Sequence, residues 1–313
     1  MAQHPATDNA VVIGALGVLA YAASMMTHEA LGHGLYCLAA GGQNTGLTAW
    51  AEGCNLHPVG IEAAGPGMQF AAGLLAWVVL RLLSLDAARL RYFFWLYMVF
   101  DLFISSGYVA FSGVTNFGDA AVIIAGFRPH IMWRGMLIVL GSATYYLSMW
   151  ATALELERFA GIDRSGKRLF RLVWIPYVAV GVFACCTAAL NRTMPASTVV
   201  ELAAASSLGA GFGMLRLPAM QRRVATGAPR SSVYLGWNVI WVLAAAVVVA
   251  AFLIYIGPGL EWQISENVAP ANTSDPSHSM YLSRRNAALD LAPGIVGIAG
   301  DEANEAVNWT IRW

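Results

Sequence analysis

Charge is what this sequence has least of. Lys, Arg, Asp and Glu make up 12% of its 313 residues, against about 25% in an ordinary soluble domain. That shortage excludes a water-facing surface over most of the chain. Lysine is nearly missing, Lys167 being the only one among 18 basic residues. An Arg-heavy, Ala- and Gly-rich composition points to a bacterial source. Net charge is zero, so the basic footprint of a nucleic-acid binder is absent. Cysteine is scarce too: Cys37, Cys54, Cys185 and Cys186. Cys37, Cys185 and Cys186 fall in apolar runs, where cysteine packs as a small hydrophobe, and no disulfide framework is expected. No internal repeat is evident. No basic segment precedes the first apolar run, which starts at Ala10 and is too long for a cleaved leader, so it reads as a retained span.

Long apolar runs are plentiful. Hydrophobic residues reach 58%, and mean hydropathy is +0.59. A helix needs about 20 apolar residues to cross a bilayer. Seven runs qualify, near 10–41, 63–84, 92–112, 131–155, 170–190, 197–217 and 235–257. The fold class expected is an all-α polytopic integral membrane protein in the lipid bilayer. Twelve of the 18 Lys and Arg gather at Arg81/Arg89/Arg91, Arg158/Arg164/Lys167/Arg168/Arg171 and Arg216/Arg222/Arg223/Arg230. These clusters follow spans two, four and six. Positive segments stay cytoplasmic, which puts the N-terminus inside and the C-terminus outside. The expected location is a bacterial inner membrane.

Residues 28–33 read His28-Glu29-Ala30-Leu31-Gly32-His33, inside the first span. Ionisable groups are costly at membrane depth and usually mark a functional site. Two imidazoles and a carboxylate are also the parts of a zinc hydrolase, two ligands and a general base. The spacing is one residue longer than the common H-E-x-x-H. On an α-helix, residues five apart differ by about 140° and residues four apart by about 40°. His28 and His33 therefore share a face only if a π-bulge absorbs the extra residue, with Gly32 and Gly34 easing the distortion. The alternative is that Glu29 and His33 ligate the metal.

Other polar residues have weaker claims. Cys54 and His57 form a C-x-x-H in loop 43–60 and are substitute ligands, though a surface loop is the commoner meaning. Asp119 opens a short helix or supplies an oxygen ligand. Asn116 caps that helix or orients substrate. Asp101, inside span three, pairs with Arg134 or bonds a tyrosine.

Three segments stand in order. The first is His28-Glu29-Ala30-Leu31-Gly32-His33-Gly34, running on to Ala39-Ala40-Gly41-Gly42. The second is Ala64-Gly65-Pro66-Gly67-Met68-Gln69, and the third is Asn116-Phe117-Gly118-Asp119. Together they resemble the site-2-protease family of intramembrane zinc metalloproteases, with Gln69 where the family usually has Asn and the third segment without the family's Pro and final Gly. The soluble dipeptidyl-peptidase III enzymes carry the longer H-E-x-x-x-H spacing on zinc. The resemblance spans about residues 10–126. It implies a three-helix core over 1–126 with a re-entrant loop at 43–60. The later apolar runs give further spans over 127–257, and the acidic, Pro-, Asn- and Ser-bearing stretch 258–313 reads as an extracytoplasmic extension. The resemblance also implies Zn2+ held by His28, His33 and Asp119, with Glu29 as base. Asn116, Gln69, Gly65 and Pro66 would support substrate. The expected partner is a single-span or signal-like membrane protein that is cut. A non-catalytic subunit of a larger complex, with a structural or relic metal site, is the rival expectation. An ion transporter is a third.

Overall fold

The computed structural model describes residues 7–84, 86–160, 166–193, 195–224 and 234–262. It is mostly helical, and seven helices are long and apolar enough to cross a membrane: α1 Ala10–Ala39, α2 Val59–Leu82, α3 Ala88–Thr115, α5 His130–Phe159, α6 Lys167–Ala188, α7 Ser197–Arg223 and α8 Val239–Ile256. A short helix, α4, spans Asp119–Ile124. Two strands follow α1, β1 Asn44–Leu47 and β2 Glu52–Cys54, and β3 Leu260–Glu261 follows α8. The tail beyond Trp262, most of the expected extracytoplasmic extension, lies outside the described residues.

α1 begins where Asn9 accepts from Val11 N at 3.0 Å and Val12 N at 3.2 Å, satisfying two of the N–H groups every helix start leaves open. An unbroken Ala, Val, Ile and Leu sequence then carries it inward. α1 and α3 are the most buried spans and α8 the least. The centre of the bundle is therefore built from Leu16, Tyr21, Trp95, Val99 and Phe103, all almost fully covered.

Lipid is as apolar as Leu, so burial alone does not draw these helices together; close packing and interhelical hydrogen bonds do. Trp95 Nε1 donates to Thr152 O at 3.0 Å. Tyr92 Oη donates to Leu172 O at 2.5 Å, and Tyr145 Oη to Ala210 O at 2.5 Å. Each such bond contributes about 0.6 kcal/mol, up to about 1.7. At the Arg-rich end, Glu155 of α5 meets Arg81 of α2 at 2.7 Å and Arg158 at 3.0 Å.

β1 pairs antiparallel with both β2 and β3, giving the order β2-β1-β3. The hairpin folds back onto the end of α1. This brings the Cα atoms of Cys37 and Cys54 to 6.0 Å, and the two are disulfide-bonded. The expectation of an unbonded Cys37 is thereby corrected. Cys54 is corrected as well: bonded to Cys37, it offers no thiolate to a metal. The pairing depends on the fold-back, which nothing in the local sequence of either cysteine announces. Cys185 and Cys186 are free.

Candidate metal centre

Within α1 the backbone is a π-helix from Thr27 to Gly34. Its i→i+5 bonding takes up one extra residue per turn. His28 and His33 then come to one side, with ring centroids 4.9 Å apart. Gly32 is where the neighbouring helix comes closest. A Cβ there would lie 2.5 Å from Gly65 Cα and 2.8 Å from Ala64 O. Glycine at 32 is thus required by the contact between α1 and α2. Pro66 sits inside α2 beside that contact.

Each imidazole is aimed by a bond from its far nitrogen. His28 Nδ1 lies 3.1 Å from Gln69 Oε1, and Gln69 Nε2 donates onward to Ser24 Oγ at 2.9 Å. His33 Nδ1 lies 2.8 Å from Ile61 O. A carbonyl oxygen can only accept, so both Nδ1 atoms carry a proton, and in the neutral imidazoles both Nε2 atoms present a lone pair. Partners of this kind orient metal-binding histidines. Gln69 is buried and acts on His28.

Asp119 arrives from the opposite side. α3 ends at Asn116 in the left-handed conformation, φ 58° and ψ 34°. Gly118 follows with φ 89°, a backbone shape that favours glycine. Asn116 thus closes the preceding helix rather than opening α4, whose N-cap is Gly118. Its Oδ1 meets His130 Nε2 at 2.9 Å. The double turn delivers Asp119 Oδ2 to 3.3 Å from His28 Nε2 and 3.4 Å from His33 Nε2. Neither contact has hydrogen-bond geometry, and Oδ2 is buried without a hydrogen-bond partner. The other oxygen is held: Tyr108 Oη donates to Asp119 Oδ1 at 3.4 Å and accepts from Asp119 N at 3.3 Å. Burial alone would raise the Asp119 carboxyl, but the two imidazoles in their protonated form outweigh it and hold it below the usual carboxylate range.

Among the described residues, His28, His33 and Asp119 form the one group of three such donors, all within 4.8 Å of one another, that can hold a metal ion. The space between them exists because residue 65 has no side chain. A Cβ on Gly65 would lie 2.8 Å from His28 Nε2 and 2.6 Å from His33 Cε1. Glu29 is buried beside the two imidazoles and within electrostatic reach of both.

The hairpin closes one flank. With its amide turned to donate, Asn44 bonds Gly34 O at 3.1 Å and Glu52 Oε1 at 2.9 Å. Burial pushes the Glu52 carboxyl up to about 7, against a smaller lowering by His33. His57 is not part of the converging group. Asp101 is fully buried in mid-α3, with the Ser24 and Tyr97 hydroxyls beside it though outside strict hydrogen-bond geometry. It does not pair with Arg134, which donates instead to Gly113 O at 2.9 Å and Val114 O at 2.6 Å.

Tyr108, Glu52 and the Ile61 carbonyl escape the sequence reading. Glu52 carried a usable signal, an acid in a short apolar hairpin next to the motif. Tyr108 and Ile61 carried none. Comparison with family models, curated proteins and solved structures gives no match.

Proposed function

We propose that the chain is a zinc-dependent intramembrane protease that cuts a single-span or signal-like membrane protein. The observation that carries this is the spacing of one Asp119 oxygen from both imidazole nitrogens around a shared gap. Tetrahedral zinc with bonds of about 2.0–2.1 Å holds its donors about 3.3–3.4 Å apart. Both His Nε2 atoms lie at 3.3 and 3.4 Å from one Asp119 oxygen that has no other partner. Two neutral imidazoles and a carboxylate suit zinc, and a set of three leaves a fourth position open, as catalytic sites do. When bound, zinc supplies Lewis acidity and makes a water acidic enough to attack near neutral pH.

The chain's own residues supply the rest. Gln69 and the Ile61 carbonyl hold the imidazoles in the binding tautomer. Glu29 accepts the proton of the attacking water and passes it to the leaving amide nitrogen. A helical substrate must unwind before its amide is reachable. The outer edge of β2 is unpaired among the described residues and offers backbone groups to an extended segment. The resemblance to site-2 proteases in three ordered motifs points the same way.

The Cys37–Cys54 disulfide belongs in an oxidising compartment. It therefore supports a hairpin and metal centre near the extracytoplasmic face of a bacterial inner membrane, with the N-terminus inside, as the Arg clusters also require.

The test is metal together with activity. Purified protein should carry one zinc by elemental mass spectrometry and cut single-span reporter proteins in liposomes. Glu29→Gln should keep the zinc and lose cleavage by a factor of about 10²–10⁴. Full zinc with no cleavage of any reporter would favour the non-catalytic subunit reading, and no zinc would remove both.

A further inference from the structure

Arg128, His130, Ile131 and Arg134 line a cavity of about 320 Å3 at the start of α5. No carboxylate is among its lining residues. Both guanidinium groups are only partly used. Arg134 spends Nε and Nη2 on the carbonyls that end α3, Gly113 O and Val114 O. Arg128 spends Nη1 on Ala125 O at 3.4 Å and Phe127 O at 3.5 Å. Arg128 Nε and Nη2 and Arg134 Nη1 make no hydrogen bond among the described residues. His130 gives Nε2 to Asn116 Oδ1, and its Nδ1 is buried without a hydrogen-bond partner.

Two cations and an imidazole converging on one cavity, with no anion of the protein's own, define a site for an anionic oxygen group. Planar guanidinium donors match phosphate oxygens. The surroundings say where the phosphate comes from. Ile131 is 74% exposed, Met132 50% and Phe127 39%. Apolar side chains at that exposure, beside a cationic cavity at the end of a membrane-spanning helix, fit acyl chains next to a headgroup. On the orientation above, this is the extracytoplasmic end, where Lys and Arg are normally depleted. Two arginines there call for a local reason.

We propose that this cavity binds the phosphate of a phospholipid headgroup in the outer leaflet. Arg128 and Arg134 donate to its oxygens, and Ile131 packs on the chain below. His130 connects the cavity to Asn116, in the turn that delivers Asp119. The lipid site is nonetheless independent of whether the metal is catalytic.

The experiment uses the full chain, stripped of lipid in a glucoside detergent. Its melting temperature is followed during titration with short-chain phosphatidylglycerol, inorganic phosphate, or a short-chain diacylglycerol without phosphate. Phosphatidylglycerol should give a saturable upward shift. Arg128→Gln should weaken its apparent affinity about tenfold or more, the loss of a charged hydrogen bond. Arg128 is the first variant because it is exposed and makes only long backbone bonds; Arg134→Gln also loosens the end of α3, and Ile131→Ser is the second. Ile131→Ser should weaken phosphatidylglycerol and leave any response to inorganic phosphate unchanged. An equal shift from diacylglycerol, or an Arg128→Gln titration that overlays wild type, overturns the site. Inorganic phosphate binding as tightly as the lipid overturns the headgroup assignment.

Discussion

Replacing Gly65 with Ala adds one methyl group where the two imidazoles meet. The new Cβ would lie 2.8 Å from His28 Nε2 and 2.6 Å from His33 Cε1. His33 Nε2 is closer still. Unstrained contacts of this kind need about 3.5 Å, so the His28 ring must retreat by about 0.7 Å and the His33 ring by more than about 0.9 Å. A metal site tolerates about 0.2 Å in its bond lengths. Metal binding should fail well before the fold does, since overpacking by one methyl costs about 1–3 kcal/mol. Gly67, in the same helix, is the control, because a Cβ there meets nothing within 4 Å. Gly67→Ala should leave metal content intact and stabilise the helix by about 0.5–1 kcal/mol. Elemental analysis of the purified variants gives stoichiometry, and cobalt substitution reports geometry through its visible absorption. Gly65→Ala holding one metal per chain with an unchanged cobalt spectrum would refute the placement of the metal between His28, His33 and Asp119.

Three further outcomes follow from the same geometry. Gln69→Leu should weaken zinc affinity about 10–100-fold by freeing His28 Nδ1, measured by competition with a chelating dye; unchanged affinity would deny Gln69 its orienting role. Under non-reducing denaturation two thiols should react with a maleimide and, after reduction, four. The double variant Cys37→Ser/Cys54→Ser should lose about 3 kcal/mol, the loop-closure value for a crosslink of sequence separation 17; four reactive thiols without reductant would remove the bond. Glu52 has a pKa of about 7 in the fold against 4.5 for the free side chain. The folded state thus holds more protons than the unfolded state between those values, and stability falls as pH rises through them. Glu52→Gln should raise the melting temperature at pH 8 and leave it unchanged at pH 4; equal shifts at both would refute the burial of this carboxyl.

The seven spans are readable because lipid imposes long, nearly charge-free runs, and a 20-residue signal is hard to miss. The cluster His28, Glu29 and His33 stands out for the same reason, as ionisable groups in such a run. What the sequence conceals is long-range. Asp119 is 86 residues from His33, and only the left-handed turns at Asn116 and Gly118 aim it back. Cys37 and Cys54 meet because a hairpin reverses between them, whereas each reads alone as a packing residue or a loop thiol. The expected pairing of Asp101 with Arg134 fails on distance. Arg134 holds the end of α3 at Gly113, and Asp101 lies twelve residues earlier, about 18 Å along the helix.

The π segment has a consequence for how the whole bundle tolerates its odd spacing. An extra residue in an α-helix turns everything beyond it by about 100°. That would swing Cys37 away from Cys54 and carry the hairpin with it. Between Thr27 and Gly34 the wider coil swallows the rotation, so the helix beyond His33 keeps the azimuth a four-residue spacing would give it. The longer spacing thus leaves the direction of the helix beyond it unchanged. Leu31, 52% exposed, is the residue whose removal would disturb least. In genetic terms the common spacing and the lengthened one stand one codon apart.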